Sequence, residues 1–483
     1  MSSKEEENKS PNIEDENDIS APKTMRLSRW MRFGIYVIFW AIHFFNCSDG
    51  GVPSASSVNI KKDLGFSDSA FGRYGSIVQI GRITGTLIVM SLLNICNRKY
   101  LIITALFFKC ASFLIYLVTY NIYIIYVFRY IQGVTHVFTY VYFPTWIDQY
   151  GMQAWKPIMM SMIQTASPFG SVFGFTVTTF IGTERWYLGF ATLAFLILPL
   201  NVILLFVPET YFSNKIFFLK EVKENEPERK DKKNRAVYSL FEMGAAKELK
   251  NKNKSLLSAI GGLFNGVYLF IVLARTVLMF IFMAIHYWIG DYFTNVLEIK
   301  DKLARTSSYS FISLAGPFIG STVGAAVCQF FGGYEKKSSI FVCILFSVLT
   351  GISAAAVPYT QTIFYFSVAL FMFFLFANCQ MPILIGISFS SVSKELKPSS
   401  YGVNSLMCTF LGNLLAPATY GMLNDYFKAT DKRLAMKIVL NYSWVNLVYL
   451  ILCAIFRYRS STEDEDEKNK PLKPNEGTEL EEK

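Results

Sequence analysis

Long apolar stretches recur along the chain with short polar breaks between them. They fall near 31–57, 70–95, 100–120, 122–147, 157–182 and 186–207, then near 261–294, 307–331, 338–357, 361–391, 400–423 and 436–457. A run of about 20 apolar residues, wound as a helix at about 1.5 Å per residue, crosses the hydrocarbon core of a bilayer. The pattern therefore predicts an all-α membrane protein of twelve transmembrane helices. A charged segment, 212–255, divides them into two equal sets, which predicts two pseudo-symmetric six-helix bundles over 30–211 and 256–458. Residues 1–29 and the acidic tail 459–483 are polar and are expected to be disordered, the first on the cytoplasmic side.

Weak internal symmetry supports two related halves. The turns after spans two and eight each carry two cations, Arg98-Lys99 and Lys336-Lys337. Spans five and eleven each hold a proline followed by a glycine, Pro168 with Gly174 and Pro417 with Gly421. Proline kinks a helix and small residues let helices approach closely, both useful where bundles rock. Threading twelve spans puts Arg26, Arg29, Arg98, Lys99, Lys156, the middle segment, Lys336, Lys337, Arg457 and Arg459 on one side. An excess of Lys and Arg marks the cytoplasmic face, so both termini are expected there.

Composition agrees with a membrane chain: 52% hydrophobic, 16% aromatic and only 17% charged over 483 residues. The net charge of +10 is spread over span ends and the middle segment, so it is no nucleic-acid patch. The eight cysteines lie in or beside apolar runs without close pairs, and the three histidines lie far apart. No disulfide framework, metal site or cofactor is expected.

Ionisable residues inside hydrocarbon are costly and mark functional sites. Asp49 lies about 18 residues into the first span, roughly 27 Å along its axis, and Arg129 lies roughly 10 Å from the outer end of span four, at a depth where the two can meet. Arg129, Gly133, His136 and Tyr140 share one helical face. Span two repeats the stripe with Gln79, Arg82 and Thr86, and span seven places Arg275 and His286 on one face with Asp291 beyond. Lys109 sits inside span three. A bland reading stands beside each: Arg129 as a clamp on carbonyls, Asp49 as its structural partner, Lys109 snorkelling between helices, His136 and His286 as packing groups, Asp291 at the water interface, His43 as a lone polar group. The surplus of cations predicts a cavity that takes an anionic solute.

Several short motifs lie among these residues. Span one reads Asn46-Cys47-Ser48-Asp49, followed by Gly50; the turn after span two reads Asn97-Arg98-Lys99-Tyr100-Leu101, preceded by Met90 and Asn94. Span four holds Arg129, Gln132, Gly133 and Pro144; span six ends in Val-Pro-Glu-Thr at 207–210; span eleven reads Leu411-Gly412-Asn413, then Pro417, Gly421 and Asp425. In these the chain resembles the major facilitator superfamily, and within it the spinster-like transporters, over about 30–458. Three positions depart from the family pattern: Gly50 replaces an Arg, Asn94 and Met90 replace an acidic residue and a Gly, and His136 replaces a Glu. The second change weakens the conformational latch built at that turn.

The resemblance implies the major facilitator fold and gradient-coupled transport of amphiphilic lipids such as lysophospholipids or sphingoid phosphates. It also implies that Asp49 and Arg129 form a proton-coupling pair. The expected reading is a monomeric, non-enzymatic secondary transporter in which Asp49 carries the proton and Arg129 gates it. Arg82, Lys109, His136, Arg275, His286, Asn46 and Tyr140 then bind substrate, while Asn94, Arg98, Lys99, Gly133, Pro168, Gly174, Pro417 and Gly421 serve conformational change. Two rivals stay open: a transporter of small hydrophilic organic anions, and a non-transporting sensor or assembly subunit. Substrate, direction, coupling ion and the choice between endolysosomal and plasma membrane are not fixed by the residues.

Overall fold

The structure is a computed structural model that describes residues 29–152, 155–212, 265–334, 336–392 and 397–468. The expectations for 1–28, for the segment after Phe212 and for the tail beyond Lys468 lie outside the described residues. Those residues form twelve helical spans. The first half holds α1 (Arg29–Cys47, carried on by a tight turn into Gly51–Ala55), α2 (Asp68–Ile95), α3 (Arg98–Leu114), α4 (Ile122–Tyr150), α5 (Lys156–Ile181) and α6 (Trp186–Phe206). A short helix, Ser57–Leu64, joins α1 to α2. The second half holds α7 (Gly266–Asn295), α8 (Lys302–Ser310 and Gly316–Phe330), α9 (Ser338–Ala356), α10 (Ile363–Ser390), α11 (Lys397–Met407 and Leu415–Phe427) and α12 (Leu434–Asn441 and Ser443–Lys468).

Short polar residues start many of these helices, because the first N–H groups of a helix lack an internal acceptor. Asn97, Asn121, Asn265 and Asp301 accept from the backbone two residues on, opening α3, α4, α7 and α8. Ser67 does the same for α2 through the Ala70 N–H. Both α8 and α11 are interrupted by a wide, π-type turn, Phe311–Ala315 and Cys408–Asn413. The expected tail is corrected at its start: α12 runs on to Lys468 through the acidic run, since Glu and Lys continue a helix readily once it is formed.

Eight spans are long and apolar enough to cross a membrane by length and composition. Outside that set are α5 and the three spans α1, α2 and α4, which carry Asp49, Arg82 and Arg129. Aromatic packing fills the first half: Phe39 stacks on Phe143 at 4.3 Å and meets Trp146 edge-on at 5.1 Å. The second half adds a buried polar network, in which Gln380 of α10 donates to Thr350 of α9 at 3.0 Å and accepts from Asn446 of α12 at 2.8 Å.

The halves meet at one end. Ser76 of α2 donates to the Leu414 carbonyl of α11 at 2.6 Å, Tyr287 of α7 donates to the Phe71 carbonyl at 2.7 Å, and Phe175 of α5 stacks on Tyr309 of α8 at 4.2 Å. Every inter-half hydrogen bond among the described residues lies toward this end, which is closed.

Candidate functional site

A buried charge cluster lies inside the first half, built from α1, α3 and α4. The α1 helix tightens into a 3-10 turn at Ser48–Gly50, and Asp49 sits in that turn, 1% exposed. Its Oδ2 accepts from Lys109 Nζ of α3 at 2.8 Å. Lys109 is fully buried; it also donates to the Gln132 carbonyl at 3.2 Å and lies 4.9 Å over the Phe113 ring.

Arg129 of α4 adjoins this pair without joining it. Its Nη1 donates to Gln132 Oε1 at 2.7 Å, and its guanidinium lies between the rings of Tyr74 at 4.8 Å and Phe190 at 5.7 Å. Gln132 Nε2 donates in turn to the Ser112 carbonyl and to the Tyr116 hydroxyl, at 3.0 and 3.1 Å, and Tyr74 donates to Tyr116 at 3.0 Å. The expected Asp49–Arg129 contact is thus corrected. The carboxylate takes the ammonium of α3, and the guanidinium is held by a glutamine one turn along its own helix. Depth along a span fixes height in the membrane but not which neighbour a side chain reaches. Lys109 is no snorkelling side chain: its ammonium ends on a carboxylate rather than in headgroups.

Toward the other end of α1 and α4 the side chains are less paired. Asn46 donates to Thr139 at 2.7 Å. His43, His136 and Tyr140 cluster with ring centroids 6.1 to 6.3 Å apart. His43 and Tyr140 line a small hollow with Thr139, Phe143, Pro144 and Ile163. The Nδ1 atoms of both histidines and the Nε of Arg82 are buried without a hydrogen-bond partner. Arg82 is half-buried and within electrostatic reach of Asp49, His43 and His136.

In the second half, Arg275 donates to Asn404 of α11 at 2.9 Å, whereas His286 contacts Ser313 in the π-type turn of α8 at 3.4 Å. The two share a face by periodicity but serve different neighbours. Arg98 donates to the Leu93 carbonyl and to Gln149, and Lys99 to the Leu205 carbonyl, so the cationic turn ties α2, α4 and α6 within one half. The side chains of Asn94 and Met90 lie outside the described residues. A Cβ on Gly133 would collide with the Val78 carbonyl of α2, and one on Gly174 with the Ser48 carbonyl of α1, one turn-and-a-half after Pro168 in the kink-bearing α5. Pro417 and Gly421 face Gly72 and Asp68 across the seam between halves. Gln132, Tyr74, Tyr116 and His43 join the site beyond the residues that the sequence points to; Gln132 carries a signal three residues beyond Arg129, and His43 reads only as a lone polar group.

Twelve helices in two halves that meet at one end, with a buried ion pair inside the first half, define a transporter-type membrane protein. The description "Major Facilitator Superfamily" matches residues 39–417, and the chain belongs to that family. No curated protein sequence matches it. Among solved structures it is similar to a bacterial homologue of the human lysosomal transporter Spinster in an inward-facing, unoccupied conformation, with 14% identity, 93% of this chain and 100% of that one covered, and a TM-score of 0.64. It is also similar to a D-xylose–proton symporter (16% identity, 88% and 96% covered, TM-score 0.63) and to the nucleoside transporter NupG (14% identity, 86% and 98% covered, TM-score 0.59). At such identities the likeness is one of fold.

Proposed function

We propose that the chain is a secondary transporter that moves an anionic, amphiphilic organic solute of the lysophospholipid or sphingolipid type by alternating access, coupled to protons. Its halves rock about the closed seam, and both termini lie in the cytoplasm, so the present state faces inward. The observation that carries the reading is the fully buried Asp49–Lys109 pair at 2.8 Å. A buried ion pair is a weak source of stability and is expensive to break, so its retention in a membrane interior fits a working role. A proton arriving on Asp49 neutralises it and frees the Lys109 ammonium. Arg129, held by Gln132 beside the pair, supplies the fixed positive field against which that proton is loaded and lost. Arg82, with its buried unpartnered Nε, and Arg275 supply charge for an acidic head group. Asn46, His136, Tyr140 and the hollow beside His43 supply polar and aromatic contact; the wider positions of Lys109 and His286 leave them inside the helical packing rather than at the head group.

The experiment is uptake into proteoliposomes. Asp49→Asn is expected to abolish gradient-driven accumulation while leaving exchange of substrate for substrate. Concentrative uptake unchanged in that variant defeats the coupling assignment. Competition by lysolipids, and none by short-chain organic anions, is the result expected for the substrate class; the reverse pattern replaces it with small hydrophilic anions.

A further inference from the structure

The closed end is held by a charge cluster that the transport reading does not use. Lys61, in the short helix between α1 and α2, donates both to Asp68 Oδ1 at the start of α2 and to Asp291 Oδ1 near the end of α7, at 2.5 Å each. All three side chains are buried. The second oxygen of Asp68 accepts from Asn424 at 2.8 Å and Lys428 at 3.1 Å, both of α11. Asp425 of α11 accepts from the backbone N–H groups of Asp68 and Ser69, at 3.0 and 2.8 Å. Those are first-turn donors of α2, which no carbonyl of their own helix can satisfy. A carboxylate there also meets the positive end of the helix dipole.

Sorting these groups by half gives the cluster its meaning. Lys61 and Asp68 belong to the first half; Asp291, Asn424, Asp425 and Lys428 belong to the second. Two ammonium groups face three carboxylates, so Lys61 is shared. When the halves part, Lys61 keeps Asp68, seven residues along the chain, and loses Asp291, while Asp68 loses Asn424 and Lys428. The first turn of α2 loses Asp425 in the same movement. We propose that Lys61, Asp291 and Asp425 form a lock across the seam, and that transfer of Lys61 from two aspartates to one is the step that opens this end. This rests on the reading above that the halves alternate.

The test reads spacing rather than flux. In full-length protein in nanodiscs, with the exposed Cys96 changed to serine, spin labels are placed at Lys62 and Ala429, exposed residues of opposite halves at the closed end. Double electron–electron resonance then gives the populations of short and long distances. Asp291→Asn and, separately, Asp425→Asn are each expected to raise the long-to-short ratio at least about tenfold, the loss of one charge-assisted hydrogen bond. Asp425 is exposed, so its variant tests the lock without a buried substitution. Distances unchanged in both variants overturn the lock, and a shift in Asp425→Asn alone overturns the role of Lys61. Widened distances in variants of a protein that carries no solute in proteoliposomes uphold the lock and defeat the transport reading instead.

Discussion

Replacing Lys109 by methionine is the sharpest test of the buried pair. Methionine keeps the length of the side chain and removes its charge. At 2.8 Å, with an effective dielectric constant of about 20, the attraction between Lys109 and Asp49 is about 6 kcal/mol before desolvation. Taking both ions out of water offsets most of that, so the intact pair adds little net stability. Stranding Asp49 is different. It leaves an unpaired carboxylate that is 1% exposed, and Lys109→Met is expected to destabilise the protein by about 3–5 kcal/mol. The double variant Lys109→Met with Asp49→Asn removes both charges and is expected to regain all but about 1–2 kcal/mol of the loss. Unfolding in mixed micelles by titrated SDS, followed by the fluorescence of the buried Trp146, Trp186 and Trp288, measures the wild type, Lys109→Met, Asp49→Asn and the double variant. Losses that simply add, with the double variant as weak as the sum of the singles, refute the coupling.

Three further outcomes are expected. Gly133→Ala forces a methyl group against the Val78 carbonyl where α2 and α4 cross and should destabilise by about 1–3 kcal/mol in the same unfolding assay; a neutral result means the crossing can relax. Trp146→Phe leaves the Tyr211 carbonyl without its 2.7 Å donor in a buried site and should cost about 1–3 kcal/mol, read the same way. Arg82→Gln should raise the KM for an anionic substrate at least about tenfold in proteoliposomes while leaving a neutral analogue unaffected; equal losses for both mean that the guanidinium does not select charge.

The span pattern was legible because hydrocarbon imposes a length and a polarity on each helix. Every one of the twelve expected stretches coincides with a helical span, to within a few residues at most ends. The interior polar residues were legible one helix at a time. Periodicity puts Arg129, Gly133, His136 and Tyr140 on a common face of α4; the first three are buried, and Tyr140 is exposed. What periodicity lacks is the azimuth of one helix relative to the next. That is why depth alone pairs Asp49 with Arg129 rather than with its actual partner Lys109, and why Lys109 taken by itself reads equally as a snorkelling side chain. The seam cluster was hidden for another reason. Lys61 and Asp425 sit at span ends, where a charge is normally just hydrated, and Asp68 and Asp425 are 357 residues apart in the chain. Only packing two bundles together turns such end charges into partners.

Beside its side-chain contacts, the seam holds three places where bare backbone meets backbone. Gly72 faces the Pro417 carbonyl, Gly421 the Asp68 carbonyl and Gly290 the Ser54 carbonyl, each too near for a methyl group to fit between. At these three crossings there are no rotamers to rearrange as the halves separate, and no interlocked knobs to drag through one another. Parting and rejoining can then be fast and repeatable. A bulky side chain introduced at any of these three glycines would act as a permanent wedge, prising the bundles apart on one side of the membrane and stopping the cycle with the other side shut.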